Sequence, residues 1–269
     1  MRSKFFYLIF ILLCTFSYAD EPDPKEAWVM YATSNYFSLA EVTIASIHTF
    51  STRPVVLVGV NADVPFSSEQ YPRLIKKRID ANIALRGPYV YKPQCILLSG
   101  VSRGIYIDAD AIVNKGCDTL FGFCDLVEQY PLCPTHEKEA YVSPDTTAFF
   151  GVKERSMHYV HADLIIFSES CKDFLSNWCD VCLNYYYLGI PCWDETLLNV
   201  LLWKIGATQQ VTTIDPYNAY IEKYLFLSPA EIAKPPYNHW FLFHGNKDTD
   251  RGWRMLFDLR DKHNIFLAP

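Results

Sequence analysis

Basic residues are scarce in this chain relative to acidic ones. Lysine and arginine together number 24, against 30 aspartates and glutamates. Removal of a predicted N-terminal segment that contains Arg2 and Lys4 leaves 22 basic and 30 acidic residues, a net charge of −8. An acidic surface does not attract a phosphate backbone, so the composition argues against nucleic-acid binding.

The chain also lacks an N-terminal apolar run of transmembrane length. Residues 5–16 form a 12-residue apolar stretch behind Arg2 and Lys4, and Ser17-Tyr18-Ala19 follows as a small-x-small exit. A bilayer span needs about 20 residues, so the pattern predicts a signal peptide at 1–19, with a short uncleaved signal anchor as the alternative. We expect one domain over 20–269, in the secretory lumen, secreted, or periplasmic in a bacterium, with a membrane contact only if the signal is uncleaved.

Glycosylation sequons are absent, whereas cysteines are not. No Asn-x-Ser/Thr occurs, which leaves a eukaryotic lumen and a bacterial periplasm equally open. Once Cys14 leaves with the signal, an even set of cysteines remains: Cys95, Cys117, Cys124, Cys133, Cys171, Cys179, Cys182 and Cys192. In an exported chain such a set predicts disulfides, although eight cysteines allow roughly a hundred pairings. Cys179-x-x-Cys182 lacks the second pair or nearby histidine that would complete a zinc site.

Apolar runs alternate with amphipathic segments through the first hundred residues. Strands are predicted at 27–33, 54–60, 74–80 and 104–108. A helix with a capping box at Ser38 and Glu41 is predicted between the first two strands, and a second helix at 91–102. This β-α-β order favours a parallel sheet with right-handed crossovers.

The second half of the chain is less regular. Residues 124–160 contain three spaced prolines and predict long loops over an active face. The remaining predicted elements are strands at 161–167, 210–214 and 240–244, and helices at 171–187, 195–204 and 253–262. No repeat or domain boundary interrupts them, so a single α/β domain is expected.

An acidic pair, Asp108 and Asp110, follows the predicted strand 104–108. Ligands of open α/β sheets collect at the carboxyl ends of the strands, and carboxylates there suit Mg²⁺ or Mn²⁺, which bridge diphosphates. An aspartate after a strand also commonly only ends the strand or begins a turn. The D-x-D spacing alone is therefore a weak signal.

Several ordered motifs together are more specific. Tyr91-Lys92-Pro93 precedes the block Gly104 to Phe121, which contains the acidic pair and ends in Asp118-x-Leu120-Phe121. Asp194-Glu195-Thr-Leu-Leu198-Asn199 comes next, and the last motif is the predicted strand at 240–243 with His244-Gly245-Asn246-Lys247. From about residue 28 to 253, this series resembles the GT-A glycosyltransferases, particularly the family 8 group of glycogenin and galactosyltransferases.

The resemblance implies a fold and an activity. The fold would be α/β of the GT-A type, a Rossmann-like, mostly parallel mixed sheet flanked by helices. The activity would be metal-dependent transfer of a sugar, with retention, from a nucleotide-diphosphate sugar, a UDP-sugar being favoured, to a protein or glycan acceptor. Mn²⁺ or Mg²⁺ would be held by Asp108, Asp110 and His244, and would serve as the Lewis acid for the diphosphate leaving group.

The same resemblance assigns roles to further residues. Catalysis at the donor sugar would fall to Asp194 and Glu195, and Asp194 would either orient the sugar hydroxyls or face the anomeric carbon. The substrate-binding set would contain Ala32, Thr33 and Tyr36 at the base, Asp108 at the ribose, Lys92, Gly245 and Lys247 at the phosphates, and His161 and Asp163 at the sugar.

This sequence departs from the family pattern at three places. His161-Ala162-Asp163 stands where the family commonly has Asn-Ala-Gly, and Glu195 replaces a glutamine. The spacing from His244 to Lys247 is also tighter than in the family, which puts Lys247 in doubt. Two local alternatives stay open: Asp194 as a helix N-cap and Lys92 as a solvated lysine at a helix start.

Two other functions compete with glycosyl transfer. A haloacid-dehalogenase-type phosphatase also places Asp-x-Asp after a strand, but normally after the first strand, and has Thr or Val where this chain has Ile112. A secreted, non-catalytic protein that binds a nucleotide sugar or a glycan is the second alternative. Metal-dependent hydrolysis of a nucleotide sugar would separate it from an enzyme.

Overall fold

The computed structural model describes residues 23–81, 87–114, 116–134, 142–155, 159–184, 193–206, 220–221 and 242–244, the last two segments by their strand pairing alone. Their strands are β1 Glu26–Ala32, β2 Val55–Val60, β3 Leu74–Ile79, β4 Arg103–Ile107, β5 Ala111–Val113, β6 Leu164–Ser168, β7 Tyr220–Ile221 and β8 Leu242–His244. Their α-helices are α1 Phe37–Phe50, α2 Lys92–Leu98, α3 Pro144–Phe149, α4 Lys172–Asn184 and α5 Asp194–Lys204.

The main sheet has the strand order β3-β2-β1-β4-β6. Its first four strands run parallel, and β6 pairs with β4 in the antiparallel sense. All six residues of β2 are buried, as expected for a strand in a sheet with helices on both faces. The predicted mostly parallel mixed sheet flanked by helices is therefore confirmed.

A smaller sheet continues the chain from β4. Its order is β5-β8-β7, with β5 antiparallel to β8 and β8 parallel to β7. The register pairs Ala111 with His244. A short strand that directly follows the acidic pair is thus joined to a segment from far along the chain.

Large aromatic side chains fill the space between the main sheet and its helices. Trp28 is fully buried, packs edge-on against Phe121 with the ring centroids 5.2 Å apart, and donates from its indole nitrogen to Ser51 Oγ at 2.8 Å. On β4, a Cβ added at Gly104 would lie 2.6 Å from Phe167 Cζ and 2.8 Å from the carbonyl oxygen of Ala27. Close strand packing therefore requires glycine at this position.

Most predicted elements of the first half agree with the structure to within a residue or two. The predicted helix at 91–102 ends earlier, at Leu98, because the chain turns at Gly100, whose φ is +72°. The predicted strand at 161–167 begins later, at Leu164. The predicted signal peptide, the strand at 210–214 and the helix at 253–262 lie outside the described residues.

The predicted capping box of α1 is wrong. The helix begins at Phe37, after a 3-10 turn, with Tyr36 as its N-cap and no side-chain hydrogen bond there. Ser38 therefore lies inside the helix, and the Glu41 carboxylate accepts instead from Gln70 Nε2 at 3.1 Å and from the Tyr71 hydroxyl at 3.2 Å. A long-range partner has taken the place of the local one.

No disulfide joins two of the seven cysteines that the structure describes, so the predicted disulfides are not shown there. All seven are buried, and Cys192 lies outside the described residues, so a disulfide that includes it stays a prediction. Each packs as a small apolar side chain, and burial raises the pKa of Cys171, for example, to about 11. No helix in the described part of the chain is long and apolar enough to cross a membrane.

Candidate active site

The acidic pair lies where the carboxyl end of β4 meets the start of β6. Because these two strands are antiparallel, Ile107 pairs with Leu164, and the amide of Asp108 donates to the carbonyl of Asp163 at 3.0 Å. The segment His161 to Asp163 is thereby brought beside Asp108. Two sequence motifs that lie more than fifty positions apart therefore meet at the carboxyl end of β4.

Lys92, the first residue of α2, is a buried cation that lies beside the acidic pair at the carboxyl end of β4. Its Nζ lies 3.1 Å from Asp108 Oδ1 and 3.0 Å from Asp194 Oδ2. It also donates to the carbonyl of Ala162 at 2.8 Å and lies 5.2 Å above the ring of Tyr106. The side chain is 6% exposed, so the alternative of a solvated lysine is wrong.

The surroundings of Lys92 determine the ionisation of the whole group. Burial alone would lower the pKa of Lys92, but Asp108 and Asp194 more than offset this and hold it well above its usual range. Burial, together with the repulsion of the Asp108 carboxylate, raises the pKa of Asp194 to about 6 against the opposing attraction of Lys92. Burial and the neighbouring Asp108 carboxylate also raise the pKa of Tyr106, whose hydroxyl donates to Asp108 Oδ1 at 2.5 Å.

Asp194 is the first residue of α5, and Trp193 is the N-cap. The alternative of Asp194 as an N-cap is therefore wrong. Its carboxylate points to Lys92 rather than to the free amides of its own helix, and its side chain is 8% exposed. An aspartate in the first turn still interacts favourably with the helix dipole.

Glu195 joins the segment from His161 to Asp163 on the other side of Asp194. Its Oε2 accepts from the amide of Ala162 at 3.0 Å and lies 3.7 Å from His161 Nδ1, which is also 3.7 Å from Asp163 Oδ2. Burial would raise the pKa of Glu195, but His161 and the Ala162 amide lower it below its usual value. The adjacent carboxylates Asp194 and Glu195 therefore have pKa values shifted in opposite directions.

Two hydroxyls of α1 support the loop of the acidic pair, and sequence reasoning missed both. Thr43 Oγ1 lies 2.8 Å from the carbonyl oxygen of Ala109 and 2.6 Å from that of Ala111. Ser46 Oγ accepts from the amide of Val113 at 3.1 Å. The sequence did contain a signal for them, because both hydroxyls lie on the buried face of α1. A buried hydroxyl needs a hydrogen-bond partner, so such a residue indicates a contact with another part of the chain.

Asp110 is buried, at 9% exposure, between Ala109 and Ala111. The pairing of Ala111 with His244 brings the backbone of this histidine next to the acidic pair. Among the residues whose side chains are described, no three His, Cys, Asp or Glu side chains form a metal site. The two carboxylates and the histidine position nevertheless fit the hard-oxygen and imidazole ligands that Mn²⁺ accepts.

The residues predicted for the nucleotide lie at the carboxyl end of β1. Ala32 ends this strand and is buried, as is Thr33, while Tyr36 ends the following 3-10 turn and packs against the core. Because β1 and β4 are parallel neighbours, this segment shares its edge with Asp108. The predicted phosphate contacts Gly245 and Lys247 lie outside the described residues.

The described architecture is similar to that of solved glycosyltransferases. The apo form of the glycosyltransferase GlyE of Streptococcus pneumoniae TIGR4 matches with a TM-score of 0.57 and 15% identity, over 90% of this chain and 62% of that one. The galactosyltransferase LgtC, in complex with donor and acceptor sugar analogs, matches with a TM-score of 0.57 and 14% identity, over 90% of this chain and 97% of that one. The chain thus spans less than two thirds of the length of GlyE.

The chain has the mixed α/β fold of the GT-A glycosyltransferases. The predicted resemblance is confirmed at this level, although no family model and no curated protein matches the sequence. A phosphatase is not favoured, because the acidic pair follows the fourth strand of a GT-A sheet rather than the first strand.

Proposed function

We propose that this protein is a metal-dependent glycosyltransferase that moves a sugar from a nucleotide-diphosphate sugar to an acceptor. The observation that carries the proposal is the contact of Lys92 with both Asp108 and Asp194, within a GT-A fold. These residues come from three motifs that the sequence only ordered along the chain. They meet at the carboxyl ends of the sheet strands, which is where open α/β folds bind their ligands.

The donor would bind across the edge formed by β1, β4 and β6. Ala32, Thr33 and Tyr36 would contact the base, and Asp108 the ribose. Lys92 and Lys247 would balance the diphosphate charge, and Gly245 would contact the phosphates. A UDP-sugar is the donor we favour, as in the resemblance that the sequence suggested.

Asp108, Asp110 and His244 would hold Mn²⁺ or Mg²⁺. When bound, the ion supplies Lewis-acid stabilisation of the negative charge on the leaving diphosphate. The residues of the chain contribute charge balance and position: Lys92 and Tyr106 fix the Asp108 carboxylate, and the hydroxyl of Thr43 supports the backbone on either side of Asp110.

Asp194 and Glu195 would divide the work at the donor sugar. Glu195 is 28% exposed in its side chain, and its lowered pKa keeps it ionised. It would face the anomeric carbon and stabilise positive charge there, with retention of configuration. Asp194, buried against Lys92, would orient that lysine, while His161 and Asp163, which lie beside Glu195, would contact the sugar hydroxyls.

The test is a screen of nucleotide sugars with Mn²⁺, in which release of the nucleoside diphosphate is measured with and without sugar acceptors. We expect hydrolysis or transfer from a UDP-sugar, loss of turnover in Asp110→Asn, and the donor's anomeric configuration in the product by NMR. A chain that binds UDP-sugars but releases no UDP with any of them would instead be the non-catalytic binding protein. Release of inorganic phosphate from phosphomonoesters would favour the phosphatase.

A further inference from the structure

An exposed aromatic ring borders the buried charges of the candidate active site. Trp193 is 64% exposed, although the residue that follows it, Asp194, is 5% exposed. A tryptophan in water leaves a large apolar area unburied, which is unfavourable. Single exposed apolar residues are common, so exposure by itself assigns no role.

The ring of Trp193 is supported on one side. Its centroid lies 4.7 Å from that of Tyr89, with an angle of 45° between the rings. Tyr89 is partly buried and packs against the main core. A Cβ added at Gly87, whose φ is +81°, would lie 2.9 Å from Tyr89 Cε1, so a glycine there lets the backbone pass close to the tyrosine ring. The orientation of the Trp193 ring is therefore fixed by packing against Tyr89, although the ring is exposed.

The two segments that carry these rings touch a second time, inside the site. Tyr89 lies three residues before Lys92, and Trp193 lies one residue before Asp194. The Lys92 and Asp194 side chains are ion-paired at 3.0 Å. The two segments, Tyr89 to Lys92 and Trp193 to Asp194, therefore make an aromatic contact near the solvent and an ionic contact in the buried site. A molecule resting on Trp193 would lie at the rim of the candidate site.

We propose that Trp193, supported by Tyr89, is the stacking platform for a neutral pyranose ring of the acceptor. This inference rests on the proposed function and names the acceptor as a glycan. The C–H face of a pyranose is apolar and matches the flat face of an indole ring, while its hydroxyls can reach polar groups at the rim. The donor would be held deeper, by its diphosphate, which leaves the outer platform to the acceptor.

The charges near the platform select against acidic sugars. Asp108, Asp163, Asp194 and Glu195 face Lys92 and His161 within this part of the molecule. Carboxylates thus outnumber the permanent cation, and a uronic or sialic acid placed on Trp193 would be repelled. A neutral hexose is the chemistry that fits.

Direct binding to the full chain tests the platform. The probes are methyl β-D-glucopyranoside, methyl β-D-galactopyranoside, lactose, the methyl glycoside of glucuronic acid, and UMP, each followed by saturation-transfer NMR and tryptophan fluorescence. At least one neutral sugar should bind saturably, and Trp193→Ala should weaken it about tenfold, as loss of an aromatic contact of about 1.4 kcal/mol predicts. Trp193→Phe should bind with intermediate affinity, because a smaller aromatic face remains.

Leu126→Ala is the matched control, because Leu126 is also exposed, at 53%, but ends the 3-10 segment Cys117–Leu126 outside the site. Its sugar affinity should equal that of the unchanged chain. Equal affinity in Trp193→Ala, absence of saturable binding by every neutral sugar, or dependence of UMP rather than sugar binding on Trp193 would overturn the proposal. Tighter binding of the glucuronide than of the glucoside would overturn its charge selectivity.

The outcomes separate this inference from the proposed function. Release of UDP from a donor without acceptor tests the proposed function and does not involve an acceptor sugar. A chain that hydrolyses UDP-sugars, but binds neutral sugars equally well in Trp193→Ala, would refute the platform alone. A chain that binds neutral sugars through Trp193, but releases UDP from no donor, would refute the transferase proposal and leave a sugar-binding surface.

Discussion

The hydroxyl of Thr43 lies 2.6 Å from the carbonyl oxygen of Ala111. This contact joins the buried face of α1 to the residue that follows Asp110. The same hydroxyl lies 2.8 Å from the carbonyl oxygen of Ala109, so one side chain supports both ends of the turn that carries the second aspartate. The position of Asp110 is therefore determined by a helix more than sixty residues earlier in the chain.

Replacement of Thr43 by valine keeps the side-chain shape and removes the hydroxyl. We expect the free energy of unfolding to fall by about 1–3 kcal/mol, because buried carbonyls lose their donor. If Thr43 positions Asp110, the Mn²⁺ concentration for half-maximal activity should also rise, and Thr43→Ser should restore it. Thr49→Val is the control, because Thr49 donates to the carbonyl four residues earlier in the same helix but is exposed. An unchanged Mn²⁺ requirement in Thr43→Val would make Thr43 a purely structural residue.

The Lys92–Asp194 pair should show strong energetic coupling. Lys92→Met leaves two carboxylates near one another without their buried cation, and we expect a loss of about 3–5 kcal/mol in the free energy of unfolding. Removal of the Asp194 charge as well, in Lys92→Met with Asp194→Leu, should cost much less than the sum of the single changes. Denaturant unfolding of the four proteins measures this coupling.

An exposed ion pair provides the control for this cycle. Lys172 and Glu169 lie 3.1 Å apart, with both side chains 64% exposed. Their coupling should be about 0–1 kcal/mol, because water screens both charges. Equal coupling energies in the two cycles would contradict the interpretation that burial makes Lys92 the charge-balancing residue.

The stability of the protein should depend on pH through Asp194. Its pKa is about 6 in the folded chain, against the usual value of about 3.9, so between these values the folded state holds a proton that the unfolded state has lost. The stabilising contribution is present below the lower value and is lost as pH rises through about 6. Relative to the unchanged chain, Asp194→Asn should therefore gain stability from pH 4 to pH 6.5, by about 3 kcal/mol at most.

Glu195→Gln is the matched comparison, with the opposite sign. The pKa of Glu195 is lowered by His161 and the Ala162 amide against the effect of burial. Its carboxylate therefore stabilises the folded state above its usual pKa, and that contribution is lost as pH falls through the lower, folded value. Glu195→Gln should lose stability, relative to the unchanged chain, as pH rises from the lowered pKa of the folded chain through the usual pKa of a glutamate. The same slope in both variants would contradict the opposite pKa shifts.

The fold could be predicted from the sequence because its signals are local. The buried strands β1, β2 and β4 are continuous apolar runs between turns, and such runs in a β-α-β order favour a parallel sheet. The order of the motifs then indicated which α/β fold this is, the GT-A fold. The start of α1 could not be predicted, because the partner that draws Glu41 away from the helix end is Tyr71, which is distant in sequence.

The candidate site was predicted as a set of residues but not as an arrangement. The sequence placed Lys92, Asp108 and Asp194 in motifs, yet the burial of Lys92 between the two carboxylates depends on how α2 and α5 approach the sheet. The cysteines were a weaker guide to the structure. Their even number and the predicted signal peptide indicated disulfides, whereas the seven cysteines that the structure describes are buried and no disulfide joins two of them.

The last prediction concerns the metal. Asp108, Asp110 and His244 were predicted as its ligands, and the register of β5 with β8 brings the backbone of His244 opposite Ala111. Mn²⁺ with UDP should raise the melting temperature of the unchanged chain, because a ligand that binds only the folded state stabilises it. Asp110→Asn should abolish turnover and this rise together, while its stability without metal changes by no more than about 1 kcal/mol.

His244→Ala should raise the Mn²⁺ concentration needed for half-maximal activity, whereas His161→Ala should change the affinity for the donor and leave the Mn²⁺ requirement as it was. A lower pH should increase the Mn²⁺ requirement of the unchanged chain, because an imidazole must be neutral to bind the ion. That increase should be smaller in His244→Ala, since the titrating ligand has been removed. If His244→Ala needs the same Mn²⁺ concentration as the unchanged chain, the histidine is not a ligand, and the carboxylates would hold the ion with diphosphate oxygens and water.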